Sequence, residues 1–125
     1  MTEIAITGAC GRMGRVIAGL VSQRTDCKII AGVDVAGEQY SDFPVYKKVF
    51  DLPQKPDVII DFSHPSALPD LLSYGKMNNV PLVLATTGYT DEERAQITAA
   101  SAQIPVFFTF NMSLGINLLV ELARK

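Results

Sequence analysis

Three glycines, Gly8, Gly11 and Gly14, mark the first place in this 125-residue sequence where residue type and spacing could do chemistry. The run Gly8-Ala9-Cys10-Gly11-Arg12-Met13-Gly14 follows an apolar, β-rich stretch at residues 3–7 and opens a segment of helical periodicity. A glycine at position 8 permits a tight turn out of a strand. One at position 11 lets backbone approach an anion with no Cβ in the way, and one at position 14 lets a helix lie close to a sheet. Unpaired N–H groups at the start of that helix then suit a phosphate. The spacing is G-x-x-G-x-x-G rather than G-x-G-x-x-G, and a bend that needs glycine only for packing would read the same way.

A second chemical group lies twenty residues beyond Gly14. Asp34 closes a second β-rich run, residues 28–34. A carboxylate there can accept hydrogen bonds from both hydroxyls of an adenosine ribose and repels a 2′-phosphate, which favours NADH slightly over NADPH. Basic neighbours can reverse that preference, and Arg12, Lys47 and Lys48 are candidates. A turn residue at a strand end is the plainer alternative for Asp34. Three further segments, Asp61-Phe62-Ser63-His64-Pro65, Ala85-Thr86-Thr87-Gly88 and Asn111-Met112-Ser113-Leu114-Gly115-Ile116-Asn117, follow later β-rich runs. Thr86, Thr87 and Asn111 offer hydroxyl and amide partners to a nicotinamide or its ribose. Phe62 is equally a core aromatic and a wall for one half of a dinucleotide. His64, the sole histidine, reads as a capping or surface group, and Asp91, Glu92 and Glu93 as complements to a helix dipole. Cys10 reads as a small loop residue.

The elements that must position these groups alternate. Strands are expected at residues 3–7, 28–34, 57–61, 80–86 and 105–109, and helices at 12–22, 65–79, 90–103 and 113–125. Met13, Val16, Ile17, Leu20 and Val21 form the apolar stripe of the first helix, and Thr90 with Glu93 forms a capping box. Residues 35–56, with Pro44, Pro53 and Pro56, read as a loop with one short helix near 48–52. Strand–helix alternation with right-handed crossovers predicts an α/β fold: a doubly wound, Rossmann-like, mostly parallel sheet with helices on both faces, in the order 3-2-1-4-5. In such a sheet ligands bind outside the carboxyl ends of the strands, where every unusual segment falls. The last helix is apolar over most of its circumference and ends at Arg124-Lys125 without a cap, so a second domain or partner is expected to cover it.

Eleven Lys plus Arg against 13 Asp plus Glu give a net charge of −2, without the basic face that nucleic acid requires. No apolar run reaches membrane-spanning length, and no basic region precedes the first apolar stretch. Two cysteines, Cys10 and Cys27, suggest neither a disulfide framework nor a metal site, and the expected compartment is the cytoplasm.

Taken together, Gly8–Gly14, Asp61–Pro65, Ala85-Thr86-Thr87-Gly88-Tyr89 and Asn111–Asn117 closely resemble dihydrodipicolinate reductase, also called 4-hydroxy-tetrahydrodipicolinate reductase. The resemblance runs in order along the whole chain. It implies an NAD(P)-binding domain over residues 1–125, from an enzyme that uses NADH or NADPH in diaminopimelate and lysine biosynthesis. It implies that Gly8, Ala9, Cys10, Gly11, Arg12 and Met13 hold the pyrophosphate and Asp34 the adenosine ribose. Ala85, Thr86, Thr87, Thr109, Phe110, Asn111 and Met112 would line the nicotinamide side. Many members have a basic residue after the acidic one, where this chain has Val35, and Arg at the position of His64. The family's catalytic histidine pair, lysine and Pro-Ser-Gly-Thr loop have no counterpart here, nor does its C-terminal substrate and tetramerisation domain. The expectation is a chain that binds NAD(H) or NADP(H) without catalysing alone, as a monomer or a non-native dimer.

Two rivals differ in class. A short-chain dehydrogenase needs Tyr-x-x-x-Lys, but Tyr40, Tyr46, Tyr74 and Tyr89 are followed at that spacing by Pro44, Phe50, Asn78 and Glu93. A stand-alone nucleotide- or coenzyme A-binding module remains open at this level.

Overall fold

Period-two alternation along the strands divides the apolar residues between two cores. In the computed structural model, which describes residues 2–39, 42–85 and 88–108, β1 (Thr2–Thr7) sends Ile4 and Ile6 to one face and Ala5 to the other. β4 (Val58–Asp61) repeats the pattern, with Val58 and Ile60 opposed to Ile59. Both strands are buried on both sides, as central parallel strands require.

The first face is covered by α1 (Arg12–Ser22), through Ile17 and Val21. The second is covered by α2 (Leu68–Asn78) and α3 (Asp91–Ala100), through Leu68, Leu71, Leu72, Ile97 and Ala100. The remaining strands are β2 (Cys27–Val33), β3 (Val45–Tyr46), β5 (Leu82–Leu84) and β6 (Val106–Phe108). All pair in parallel, in the order β3-β2-β1-β4-β5-β6. This is the expected doubly wound α/β sheet.

Two expectations need correction. The third predicted strand does not lie outside β2; as β4 it pairs with β1, Ile4 against Val58 through Thr7 against Asp61. The outer place is filled by β3, a two-residue edge strand inside the stretch expected to be loop. Two residues between prolines and charges carry no readable period. The stripe of α1 is also narrower than expected. Gly14, Ile17, Ala18 and Val21 face the sheet, while Met13, Val16 and Leu20 are exposed. Gly14 and Ala18 are small enough to bring the helix close, which rotates the larger residues off the contact.

Local chemistry accounts for the ends. Thr90 Oγ1 accepts from the Glu93 amide at 3.1 Å and Glu93 Oε1 accepts from the Thr90 amide at 2.8 Å, the expected capping box. Asn79 ends α2 in the left-handed region, at φ 54°. A 3₁₀ turn, Pro65–Ala67, precedes α2 and takes up Pro65, while Pro69 sits in the first turn of α2, which starts at Leu68 and needs no N–H there. A second 3₁₀ turn, Val49–Asp51, stands where the short helix was expected. The predicted final helix, residues 113–125, lies outside the described residues.

Two helical glycines give opposite expectations. A Cβ on Gly14 would meet the Gly8 carbonyl oxygen at 2.5 Å, whereas one on Gly19 would meet nothing. Gly14→Ala should therefore lower unfolding stability by about 2 kcal/mol or more. Gly19→Ala should raise it by about 0.5–1 kcal/mol, as in any exposed helix interior. Urea denaturation of the two variants against the parent chain checks both signs.

Candidate dinucleotide cradle at the sheet edge

The chain leaves β1 through a bend whose shape depends on Gly8. Its φ of 72° is left-handed, and a Cβ there would lie 2.6–2.8 Å from the Phe62 carbonyl and the Ser63 amide. The bend therefore rests directly on the segment that follows β4. The Gly8 and Ala9 amides donate to the Val33 carbonyl at 2.8 and 3.2 Å, and the Gly11 amide returns to the Gly8 carbonyl at 3.1 Å. The Cys10 amide donates to Asp34 Oδ2 at 2.9 Å. Arg15 Nε braces the outside by donating to the Cys10 carbonyl at 3.1 Å.

The amides of Gly8, Ala9, Cys10 and Gly11 are thus used in making the bend. The first amides of α1, those of Arg12, Met13 and Gly14, find no acceptor among the described residues, and the N-cap Gly11 supplies no side chain. These donors, with the positive end of the helix dipole, are where an anion can be held. Gly11 is exposed, and its missing Cβ would touch only the Gly8 carbonyl, at 3.3 Å. Its outer side is open to a ligand.

Asp34 follows β2 and is half-buried. Besides the Cys10 amide it takes the Ala36 amide on Oδ1 at 3.0 Å, while Gly37 donates to its carbonyl at 2.9 Å. One lone pair on each carboxylate oxygen is left for a further donor. A cleft of about 650 Å³ opens between these elements. Thr7, Gly8, Gly11 and Asp34 line it from β1, the bend and β2, and Phe62, Ser63 and His64 from the far side. Phe62 packs against the α1-side core and also lines the cleft. His64 caps the 3₁₀ turn, its Nδ1 accepting from the Ser66 amide at 3.1 Å.

Of the other expected residues, four are described besides those already placed. Ala9 is fully buried beneath the bend, Arg12 and Met13 are exposed on α1, and the Ala85 amide donates to the Asp61 carbonyl at 2.9 Å. Cys10 Sγ donates to the Glu38 carbonyl at 3.2 Å. Thr86, Thr87, Thr109, Phe110, Asn111 and Met112 lie outside the described residues. Burial pushes the Cys27 thiol pKa up, whereas Cys10 is half-buried in the bend.

Asp61 plays a part the sequence reading did not assign. Its carboxylate is 2% exposed at the end of β4. Oδ1 accepts from Thr7 Oγ1, from the Ser63 amide at 2.9 Å and from Ser63 Oγ. Oδ2 accepts from the Tyr89 hydroxyl at 3.2 Å. One buried anion thus ties the end of β1, the segment under the bend and the entry to α3. The readable signal was an acid closing an otherwise apolar strand, with hydroxyl residues at positions 7 and 63.

The comparisons with known proteins agree with this geometry. A model of the dihydrodipicolinate reductase N-terminus matches residues 2–112. The chain belongs to this family. It is 40% identical over 124 residues to a 4-hydroxy-tetrahydrodipicolinate reductase of Clostridium novyi, covering 99% of this chain and 49% of that protein. It is 39% identical over 125 residues to one from Caldanaerobacter subterraneus, again with 49% of the relative covered. The chain therefore spans about half the length of the curated relatives it matches. Among solved structures, a dipicolinate-bound dihydrodipicolinate reductase from Paenisporosarcina sp. TG-14 superposes with a TM-score of 0.69 at 27% identity. That match covers 81% of this chain and 43% of the other. A scyllo-inositol dehydrogenase from Lactobacillus casei, solved with NAD(H) and scyllo-inositol, gives 0.71 at 17% identity over 88% of this chain and 36% of that one, a likeness of fold alone. Among the described residues no helix is long and apolar enough to cross a membrane, and no cluster of side chains could hold a metal ion.

Removing the Asp61 carboxylate should be costly. Asp61→Ala strands the Thr7, Ser63 and Tyr89 donors and is expected to lose about 3 kcal/mol of stability. Asp61→Asn keeps one acceptor oxygen and offers an amide to the Tyr89 hydroxyl, so about 1 kcal/mol is expected. Denaturant midpoints of the two variants measure the gap.

Proposed function

We propose that this chain is the nicotinamide-dinucleotide-binding domain of a 4-hydroxy-tetrahydrodipicolinate reductase. The observation that carries the reading is the pairing, in one cleft, of the Gly8–Gly14 bend with the Asp34 carboxylate. The start of α1 presents amides at Arg12, Met13 and Gly14 that find no acceptor among the described residues, and Asp34 is held by two backbone amides with lone pairs to spare. That set suits a pyrophosphate joined to an adenosine ribose. Family membership and the relatives' names support the same reading.

Within it each residue has a task. The α1 amides hold the diphosphate and Asp34 accepts from the ribose hydroxyls. Phe62 gives an apolar wall to one half of the ligand. Ala85, Thr86, Thr87, Thr109, Phe110, Asn111 and Met112 are proposed for the nicotinamide side. When bound, the dinucleotide supplies a hydride to the substrate of the reductase. The chain's own contribution is to orient that donor and to exclude water around the diphosphate. The only histidine, His64, is engaged as a cap, and the family's histidine pair is absent from the sequence. Binding without turnover by the 125-residue chain is therefore the proposal. Its larger relatives are proposed to bring the substrate with the rest of their length.

Titration calorimetry with NADH and NADPH tests this. Saturable one-to-one binding to the chain is expected, with Asp34→Ala weakening NADH by about tenfold or more through the lost ribose hydrogen bonds. Alkylation of the two cysteines gives an independent reading. Cys10 should react well before buried Cys27, and saturating NADH should slow Cys10 alone. Unchanged Cys10 labelling together with flat titrations would remove the proposal.

A further inference from the structure

Three neighbouring strand ends meet on one buried residue. Asp61 pairs in register with Thr7 at the end of β1 and with Leu84 at the end of β5. Toward β1, its Oδ1 accepts from the Thr7 hydroxyl, and Thr7 leads directly into Gly8 and the bend. The same oxygen accepts from the Ser63 amide, whose nitrogen would lie 2.8 Å from a Cβ on Gly8. Toward β5, the Asp61 carbonyl accepts from the Ala85 amide at 2.9 Å, and Oδ2 accepts from the Tyr89 hydroxyl at 3.2 Å. Asp61 thus holds the chain beyond β5 at two points, residues 85 and 89. Tyr89 is buried in the core under α2 and α3 and directly precedes Thr90, the N-cap of α3. A phenyl ring would fill that place equally well, so packing alone does not call for the hydroxyl. Thr7, Phe62 and Ser63 line the cleft, whereas Asp61 and Tyr89 stand behind it.

We infer, resting on the dinucleotide reading above and deepening it, that Asp61 and Tyr89 are positioning residues for the ligand. The bridge Thr7–Asp61–Tyr89 fixes the span between the bend that takes the diphosphate and the end of β5, where Ala85 is proposed for the nicotinamide side. One dinucleotide has to meet both places at once. A span set before binding lets the second half of the ligand engage at little further ordering cost. A loose span lowers the apparent affinity by the fraction of molecules that hold the right spacing. The effect falls on the intact dinucleotide. ADP-ribose has the adenosine and the diphosphate but no nicotinamide ring, so it gains nothing from the far side and is indifferent to the span.

Calorimetry on the 125-residue chain with NADH and with ADP-ribose, each variant held well below its unfolding midpoint, separates the outcomes. The parent should bind NADH more tightly than ADP-ribose. Tyr89→Phe keeps the ring and removes only the hydroxyl; it should weaken NADH about fivefold and ADP-ribose by less than about twofold. Thr7→Val, which keeps the side-chain shape and removes the hydroxyl, should lower the same ratio. Thr7→Ser, which keeps the hydroxyl and loses a buried methyl, should cost stability and leave the ratio at the parent value. A bridge that served the fold alone would move the unfolding midpoints and not the ratio. If Tyr89→Phe and Thr7→Val leave the ratio unchanged, the positioning role is overturned while the dinucleotide reading stands. If the parent binds ADP-ribose as tightly as NADH, there is no nicotinamide-side contact to position, and the inference falls with the adenosine and diphosphate part intact. If the parent binds neither, the reading beneath it fails first.

Discussion

The bend after β1 and the segment after β4 touch backbone to backbone because Gly8 has no side chain. A Cβ would stand 2.6 Å from the Phe62 carbonyl carbon, which no small adjustment relieves. From this contact follow the depth of the cleft, the placement of Phe62 on its wall and the approach of Ser63 to Asp61. Gly14 repeats the condition one turn later, against the Gly8 and Ala9 carbonyls. The two glycines clamp the start of α1 between the sheet edge and its neighbour. The helix amides are therefore aimed by packing, before any ligand arrives.

Two carboxylates hold this arrangement, and they are handled differently. Asp61 is buried and spends its acceptors on Thr7, Ser63 and Tyr89, hydroxyls and an amide from three elements. A desolvated anion is tolerable when it is so fully hydrogen-bonded. Asp34 stands half-buried at the cleft and accepts from two backbone amides. The Cys10 amide it accepts belongs to the bend, so the group proposed for the ribose also steadies the loop proposed for the diphosphate. Structural and binding roles share one hydrogen bond.

The sequence was most informative where physics is local. The bounds of α1, the Thr90–Glu93 box and the buried β4 followed from period, capping chemistry and apolar content. The gathering of Gly8, Asp34, Phe62 and Ser63 on one edge followed from the parallel topology. What escaped depended on long-range partners. A two-residue strand such as Val45–Tyr46 exists only because β2 offers it a ladder, and missing it put the third predicted strand on the wrong side of β1. Met13, Val16 and Leu20 carry a helical period as good as that of Ile17 and Val21. The small Gly14 and Ala18 decide which stripe lies against the sheet. The hub at Asp61 joins residues 54 and 28 positions apart, a separation that no local pattern encodes.

The edge strand also shows why charge at this cleft can vary without disturbing the cradle. β3 contributes two paired residues and no fully buried side chain, so it sits at the periphery of the sheet. Lys47 and Lys48 ride on its end in solvent, whereas Asp34 is bound to the bend through Cys10. A substitution at Asp34 removes the acceptor of the Cys10 and Ala36 amides and so strikes loop geometry. Lys47 and Lys48 make no ion pair among the described residues, so a substitution there leaves the hydrogen bonds of the bend in place. With the acid just after β2 and the two bases just after β3, a position constrained by folding is separated from two that are not. The strand that is hardest to find in the sequence is therefore also the one that folding constrains least.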